Sequence, residues 1–218
     1  MPHITTDDGV RLFYEDVGEG FPIVFVHEFA GDHRSFEPQV RYFSRQYRCI
    51  TYSARGYHPS DVPDSPSSYS QARARDDIRS IMDGLHLDCA HVAGISMGSF
   101  ATLHFGLTYP GRCRSLVLGG CGSGAPLAAR DQFQSEARAM AAAILERGMQ
   151  AVAQAYAESA TRVQFQNKDP RGWVEFRQLL SEHSTLGSAN TMLGVQAERP
   201  SLFAMTEELR DLQVPTLI

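Results

Sequence analysis

Over the first half of the chain, short runs of β-forming residues alternate with segments of helical periodicity. His3 to Thr6 and Val10 to Val17 flank Asp8-Gly9, a strong turn signal, so the N-terminus predicts a hairpin. Four more runs follow: Ile23-Val24-Phe25-Val26, Arg48-Cys49-Ile50-Thr51-Tyr52, His91-Val92-Ala93 and Ser115-Leu116-Val117-Leu118. Each of the last three is preceded by a helical pattern, at approximately Phe36 to Ser44, Tyr69 to Leu85 and Met97 to Tyr109. Strands alternating with helices need crossover connections. The pattern therefore predicts an α/β core over residues 1–121, a mostly parallel sheet with helices on both faces.

From Gly122 the alternation stops. Residues 122–209 read as helices, Ala-rich between Ala125 and Ala160 and bearing Trp173 and Phe176, which predicts a helical cap inserted into the sheet. Its Met140, Met149, Met192 and Met205 either line a substrate pocket or, as apolar residues on helices more often do, simply pack. Residues 210–218 return to the core, with Leu212 to Ile218 reading as a linker into another buried strand that is started and not finished.

Composition narrows the classes. With 218 residues, 43% hydrophobic and 21% charged, the chain is long enough for a sizeable core. A net charge of −5 and the lack of a Lys/Arg block argue against nucleic acid or an acidic membrane as partner. No apolar run approaches the roughly 20 residues of a membrane span, and the start lacks a targeting pattern, so the cytoplasm is the expected location. Cys49, Cys89, Cys113 and Cys121 match neither a zinc nor a redox spacing and read as buried free thiols.

The chemistry concentrates at Gly94-Ile95-Ser96-Met97-Gly98, a G-x-S-x-G between a predicted strand and a predicted helix. Gly94 and Gly98 permit a sharp turn and close strand–helix packing, which lifts the Ser96 hydroxyl out of the sheet. The helix N-terminus offers the Met97 backbone N–H and a dipole that favours negative charge on a substrate carbonyl oxygen. Ser96 is thus a candidate nucleophile; the plainer alternative is a serine capping the helix.

With these residues in view, the chain resembles the α/β-hydrolase family, in its esterase-like branch with helical caps. Phe25-Val26-His27-Glu28-Phe29-Ala30-Gly31 is similar to the family's H-G-x-x-G oxyanion loop. Tyr52-Ser53-Ala54-Arg55-Gly56-Tyr57-His58-Pro59-Ser60 is similar to its D-x-R-G-x-G-x-S loop. The stretches Ser96-Met97-Gly98-Ser99 through Tyr109-Pro110 and Leu116-Val117-Leu118 fit as well. The resemblance implies an oxyanion hole formed by the backbone N–H groups of Phe29 and Met97, supported by His27, Glu28, Gly94 and Gly98. It implies acyl transfer through Ser96 on a small or medium ester, lactone or related acyl substrate, with no metal and no cofactor. Glu28 stands where the family usually carries Gly; its carboxylate is expected to pair with Arg34 or Arg55, with orienting His27 or touching substrate as alternatives. His27-Glu28 brushes the zinc motif H-E-x-x-H, but Gly31 occupies the second His position.

A serine needs a general-base His, held by an acid. The family's chain order, Ser then acid then His, implies that both lie beyond Ile218. Of the histidines present, His27, His33, His58 and His104 are poor substitutes and His183, next to Glu182, is an outsider. A further C-terminal segment or a second chain is therefore an expected partner, and self-association is a further expectation for an unpaired sheet edge. Alternative readings are a ligand-binding or inactive relative, a cofactor-free haloperoxidase or a C–C hydrolase.

Overall fold

The computed structural model describes residues 2–218. The hairpin forms as expected: β1 (His3–Thr5) and β2 (Arg11–Val17) pair antiparallel around Gly9, whose φ of 85° suits a residue without Cβ. There follow β3 (Phe21–Val26), α1 (Glu37–Phe43), β4 (Tyr47–Tyr52), α2 (Gln71–Gly84), β5 (Ala90–Ile95), α3 (Met97–Thr108) and β6 (Cys113–Gly119). The helices α4 (Arg130–Ala157), α5 (Val163–Lys168), α6 (Pro170–Ser181), α7 (Thr185–Thr191) and α8 (Thr206–Arg210) come next, and β7 (Thr216–Leu217) ends the chain. The sheet order is β1-β2-β4-β3-β5-β6-β7, with β2 antiparallel to β4 and every later pair parallel.

Predicted and observed boundaries differ by a few residues, for local reasons. Ser70 accepts a hydrogen bond from the Arg73 N–H at 3.1 Å, so α2 starts after this cap rather than at Tyr69. Asp32 caps a 3₁₀ turn at His33–Phe36, and α1 begins only after it.

Alternation along the strands sorts side chains onto two faces. Val24, Val26, Ile50, Val92 and Leu116 join a core with residues of α2 and α3, while Ile23, Phe25 and Cys49 face Phe36, Val40 and Phe43 at α1. Helices lie on both faces, as expected, and coverage of the second face is partial. Helix α1 covers the β3–β4 half. On the same face Ile95 is 44% exposed, Val117 38% and Leu217 66%. Parallel sheets are ordinarily buried on both sides, so this half-face lacks its cover among the described residues.

The helices after β6 sit over the C-terminal ends of the strands. Phe29, Tyr57 and Met97 from the strand-end loops share a second core with Ile144, Met149, Val152 and Leu180. Met149 is buried there, with Met140 and Met192 packed against it; of the four methionines expected to line a pocket or pack, these three pack. Met205 lies apart, on a surface groove beside His104. Cys49 and Cys113 are buried, whereas Cys89 and Cys121 are partly exposed. No helix of the described residues is long and apolar enough to cross a membrane.

Candidate active site

Ser96 joins β5 to α3 with φ 50° and ψ −114°, a conformation L-residues rarely adopt and one that stores about 1–3 kcal/mol of strain. The surroundings hold it there. Its N–H donates to the Gly119 carbonyl at 2.7 Å, and its own carbonyl accepts from the Ser99 N–H at 3.0 Å and the Ser99 hydroxyl at 2.5 Å. The Ser96 side chain makes no capping hydrogen bond, so the plainer reading of a helix cap fails. The two glycines are demanded by contact: a Cβ on Gly98 would lie 2.1 Å from the Val26 carbonyl oxygen, and one on Gly94 2.3 Å from that of Gly98. They let the first turn of α3 press against the end of β3.

That contact brings Met97 next to the loop after β3. Met97 is the first residue of α3, where a backbone N–H has no helical acceptor. Neither its N–H nor that of Phe29 donates to a protein carbonyl among the described residues. Both residues are buried in the same apolar cluster.

His27 is engaged at both ring nitrogens. The Ala54 N–H donates to Nε2 at 2.9 Å, which leaves the proton on Nδ1 to donate to the Glu28 carbonyl at 2.7 Å. Complete burial pushes its pKa down, so the ring is a neutral pin between the loops after β3 and β4. It has no free nitrogen with which to take a proton from Ser96.

Glu28 does not pair with Arg34 or Arg55, contrary to expectation. Arg34 is held by Asp32 and Glu182, and Arg55 by Asp77 and Asp8. Arg162, just before α5, donates instead to the Glu28 carboxylate at 2.8 Å. Arg162 stacks over the Tyr156 and Phe176 rings, and Tyr156 contacts Phe29 at 6.2 Å between centroids. The helical region thereby clamps two consecutive residues of the loop. Among the described non-glycine residues only His86 and Ser96 have positive φ, so Glu28 fits the loop without that strain. A groove of about 880 Å³ opens here between Glu28 and Ala30 on one side and Arg162, Phe165 and Phe176 on the other.

The other histidines stand apart from Ser96. His33 bonds the Ser53 hydroxyl at 2.9 Å and His58 is exposed after β4. His104 is eight residues along α3, about 12 Å at 1.5 Å per residue. His183 is buried edge-on to Tyr57 with Asp32 Oδ2 at 3.8 Å, and neither ring nitrogen has a hydrogen bond. Burial lowers the pKa of both His104 and His183 to about 4. The unfolded chain, near 6.5, takes up these protons first as pH falls, so stability is full above pH 6.5 and declines towards pH 4. Each ring should forfeit about 2–3 kcal/mol over that window. Urea midpoints at pH 7.0, 5.5 and 4.5 check this, and His183→Gln should flatten the decline; a flat wild-type profile would contradict it.

Comparison with known proteins identifies the family. Residues 22–185 match the family model described as alpha/beta hydrolase fold. The chain is 33% identical over 141 residues to 3-oxoadipate enol-lactonase 1 of Acinetobacter baylyi, covering 64% of the chain and 51% of that protein. It is 30% identical over 223 aligned positions to the putative 2-succinyl-6-hydroxy-2,4-cyclohexadiene-1-carboxylate synthase of Bacillus subtilis, covering 99% and 79%. A thermophilic esterase from Thermogutta terrifontis superposes with a TM-score of 0.83 at 25% identity, covering 99% of this chain and 77% of the esterase. Two of the curated relatives are matched over only 38% and 51% of their own lengths. The family model spans most of the chain, and the chain belongs to the α/β-hydrolase family.

Proposed function

We propose that this protein hydrolyses a small or medium carboxylic ester or lactone through an acyl-enzyme on Ser96. The observation that carries the reading is the strained turn at Ser96. Its backbone is fully engaged while its hydroxyl is left without a capping bond, beside two N–H groups with no protein acceptor. A side chain held at a cost of that kind is one the fold presents for use. Esterase and enol-lactonase relatives support ester and lactone bonds as the class.

In this mechanism the Ser96 hydroxyl attacks the acyl carbon and loses its proton to a histidine. The tetrahedral oxyanion is held by the Phe29 and Met97 N–H groups at about 2.7–3.1 Å, each donor contributing roughly 3–4 kcal/mol to the transition state. The proton passes to the leaving alkoxide, and water then repeats the sequence to release the acid. The reading places the base and its acid on polypeptide other than residues 1–218. In its support, no described histidine is hydrogen-bonded to Ser96, and the face around Ile95, Val117 and Leu217 is open to receive further chain.

The protein isolated in its native assembly should react with a fluorophosphonate and gain one adduct on the peptide bearing Ser96. Hydrolysis of p-nitrophenyl esters of graded length then gives the preferred acyl size. An adduct on another residue, or none on an assembly that binds ester, would overturn the reading.

A further inference from the structure

The peptide between Glu28 and Phe29 carries one of the two proposed oxyanion donors, and the core fixes only one side of it. The Glu28 carbonyl accepts from His27 Nδ1 at 2.7 Å and from the Gly31 N–H at 3.1 Å. In a planar trans peptide the N–H points opposite to the carbonyl, so these bonds also set the tilt of the Phe29 N–H. Where the plane sits depends on its two ends, Glu28 and Phe29.

Both ends are held by the helical region. The Glu28 carboxylate accepts from Arg162 Nη2 at 2.8 Å. Phe29, 3% exposed, packs in a cluster made mostly of residues from α4, α6 and α7, with the Tyr156 ring against it. Tyr156 also faces the Arg162 guanidinium at 5.4 Å, and Phe176 does so at 4.8 Å. Rings on a planar guanidinium fix its orientation, which aims its edge at Glu28. Glu28 is the one carboxylate paired with Arg162 among the described residues, and the pair is 21% and 22% exposed, so water screens it less than a surface pair.

A second bridge joins the helices to the core without touching that peptide. Arg34, in the 3₁₀ turn after the loop, donates to Glu182 at 3.0 Å and lines the same 880 Å³ groove as Arg162. It docks the helical region but bonds to neither Glu28 nor Phe29.

We propose that Arg162 is a positioning residue: through Glu28 it sets the Phe29 N–H against the substrate oxyanion, so the helical region governs the rate at Ser96. The inference rests on the ester hydrolysis proposed above and adds to it the part played by the Glu28 side chain.

Turnover of p-nitrophenyl acetate by the native assembly tests it. Complete loss of an oxyanion donor costs about 10²–10³ in kcat, and a misplacement of about 1 Å costs up to about 10². Arg162→Met and Glu28→Ala should therefore each lower kcat by about tenfold or more with KM within about twofold. The double variant should be no slower than the slower single, because both remove one interaction. Glu182→Ala removes the neighbouring bridge and should keep kcat within about twofold of wild type. A fall in kcat short of about tenfold in the singles, additive effects in the double variant, or a loss in Glu182→Ala as large as theirs overturns the positioning role. Should Arg162→Met fail to fold, Glu28→Ala decides on the same criterion. Wild-type Ser96 that takes no fluorophosphonate would overturn the hydrolytic reading and this inference with it; labelled Ser96 with unaffected variants overturns the positioning role alone.

Discussion

Replacing Ser96 by glycine is expected to abolish ester turnover in the native assembly while raising the stability of the fold by about 1 kcal/mol. The two effects have separate origins. Loss of the nucleophile of a hydrolytic triad costs on the order of a millionfold in rate, because the remaining groups cannot form the acyl-enzyme. The stability gain follows from φ 50° and ψ −114° at this position. Glycine enters that region without a Cβ clash, relieving about 1–3 kcal/mol, less the roughly 0.5–1 kcal/mol that its freer unfolded chain costs. Turnover of p-nitrophenyl acetate and urea midpoints on the same two proteins measure both. A variant that keeps more than a trace of turnover would remove Ser96 from the mechanism. One that is clearly less stable than wild type would show that the turn carries no strain.

The sequence announces this turn because its requirements are local. A serine between two glycines, at the junction of a period-two run and a helical run, leaves its mark within five residues, and Gly94 and Gly98 are needed for contacts that close immediately around them. The sheet is legible for the same reason: Val24, Ile50, Val92 and Leu116 follow strand alternation and meet in one core. Glu28 shows the opposite case. Its partner Arg162 lies 134 positions along the chain, and no spacing rule links a strand-end loop to the entry of a distant helix. Arg34 and Arg55 are nearer in sequence, but Asp32, Glu182, Asp77 and Asp8 already hold them. Coverage of the sheet was hidden too. Periodicity shows that Val117 and Leu217 point to one face, but not whether a helix lies there.

Arg55→Met is expected to cost about 3–5 kcal/mol of stability, the largest loss from any single substitution discussed for this fold. Arg55 follows β4 and grips Asp77 with Nε at 2.8 Å and Nη2 at 2.7 Å, Asp8 with Nη1 at 2.8 Å, and the Ser68 carbonyl at 2.7 Å. One side chain thus ties the hairpin turn, the segment before α2 and the middle of α2 to the loop after β4. Methionine fills much of the same volume but leaves the Asp77 carboxylate, 1% exposed, without a counter-ion. An orphaned buried charge, rather than lost attraction alone, makes the effect large. The midpoint of thermal unfolding should fall by about 10 °C, at roughly 2–4 °C per kcal/mol for a chain of this length. Adding Asp77→Leu should restore most of the loss, because an apolar pair of similar volume has no charge to desolvate. If the single variant costs under about 1 kcal/mol, or the double variant is worse than the single, the pair is not the buried tie described here. Because Arg55 anchors the same loop whose Ala54 N–H fixes the His27 ring, the single variant should also loosen the Glu28–Phe29 turn, coupling the fold's most buried ion pair to the proposed oxyanion donors.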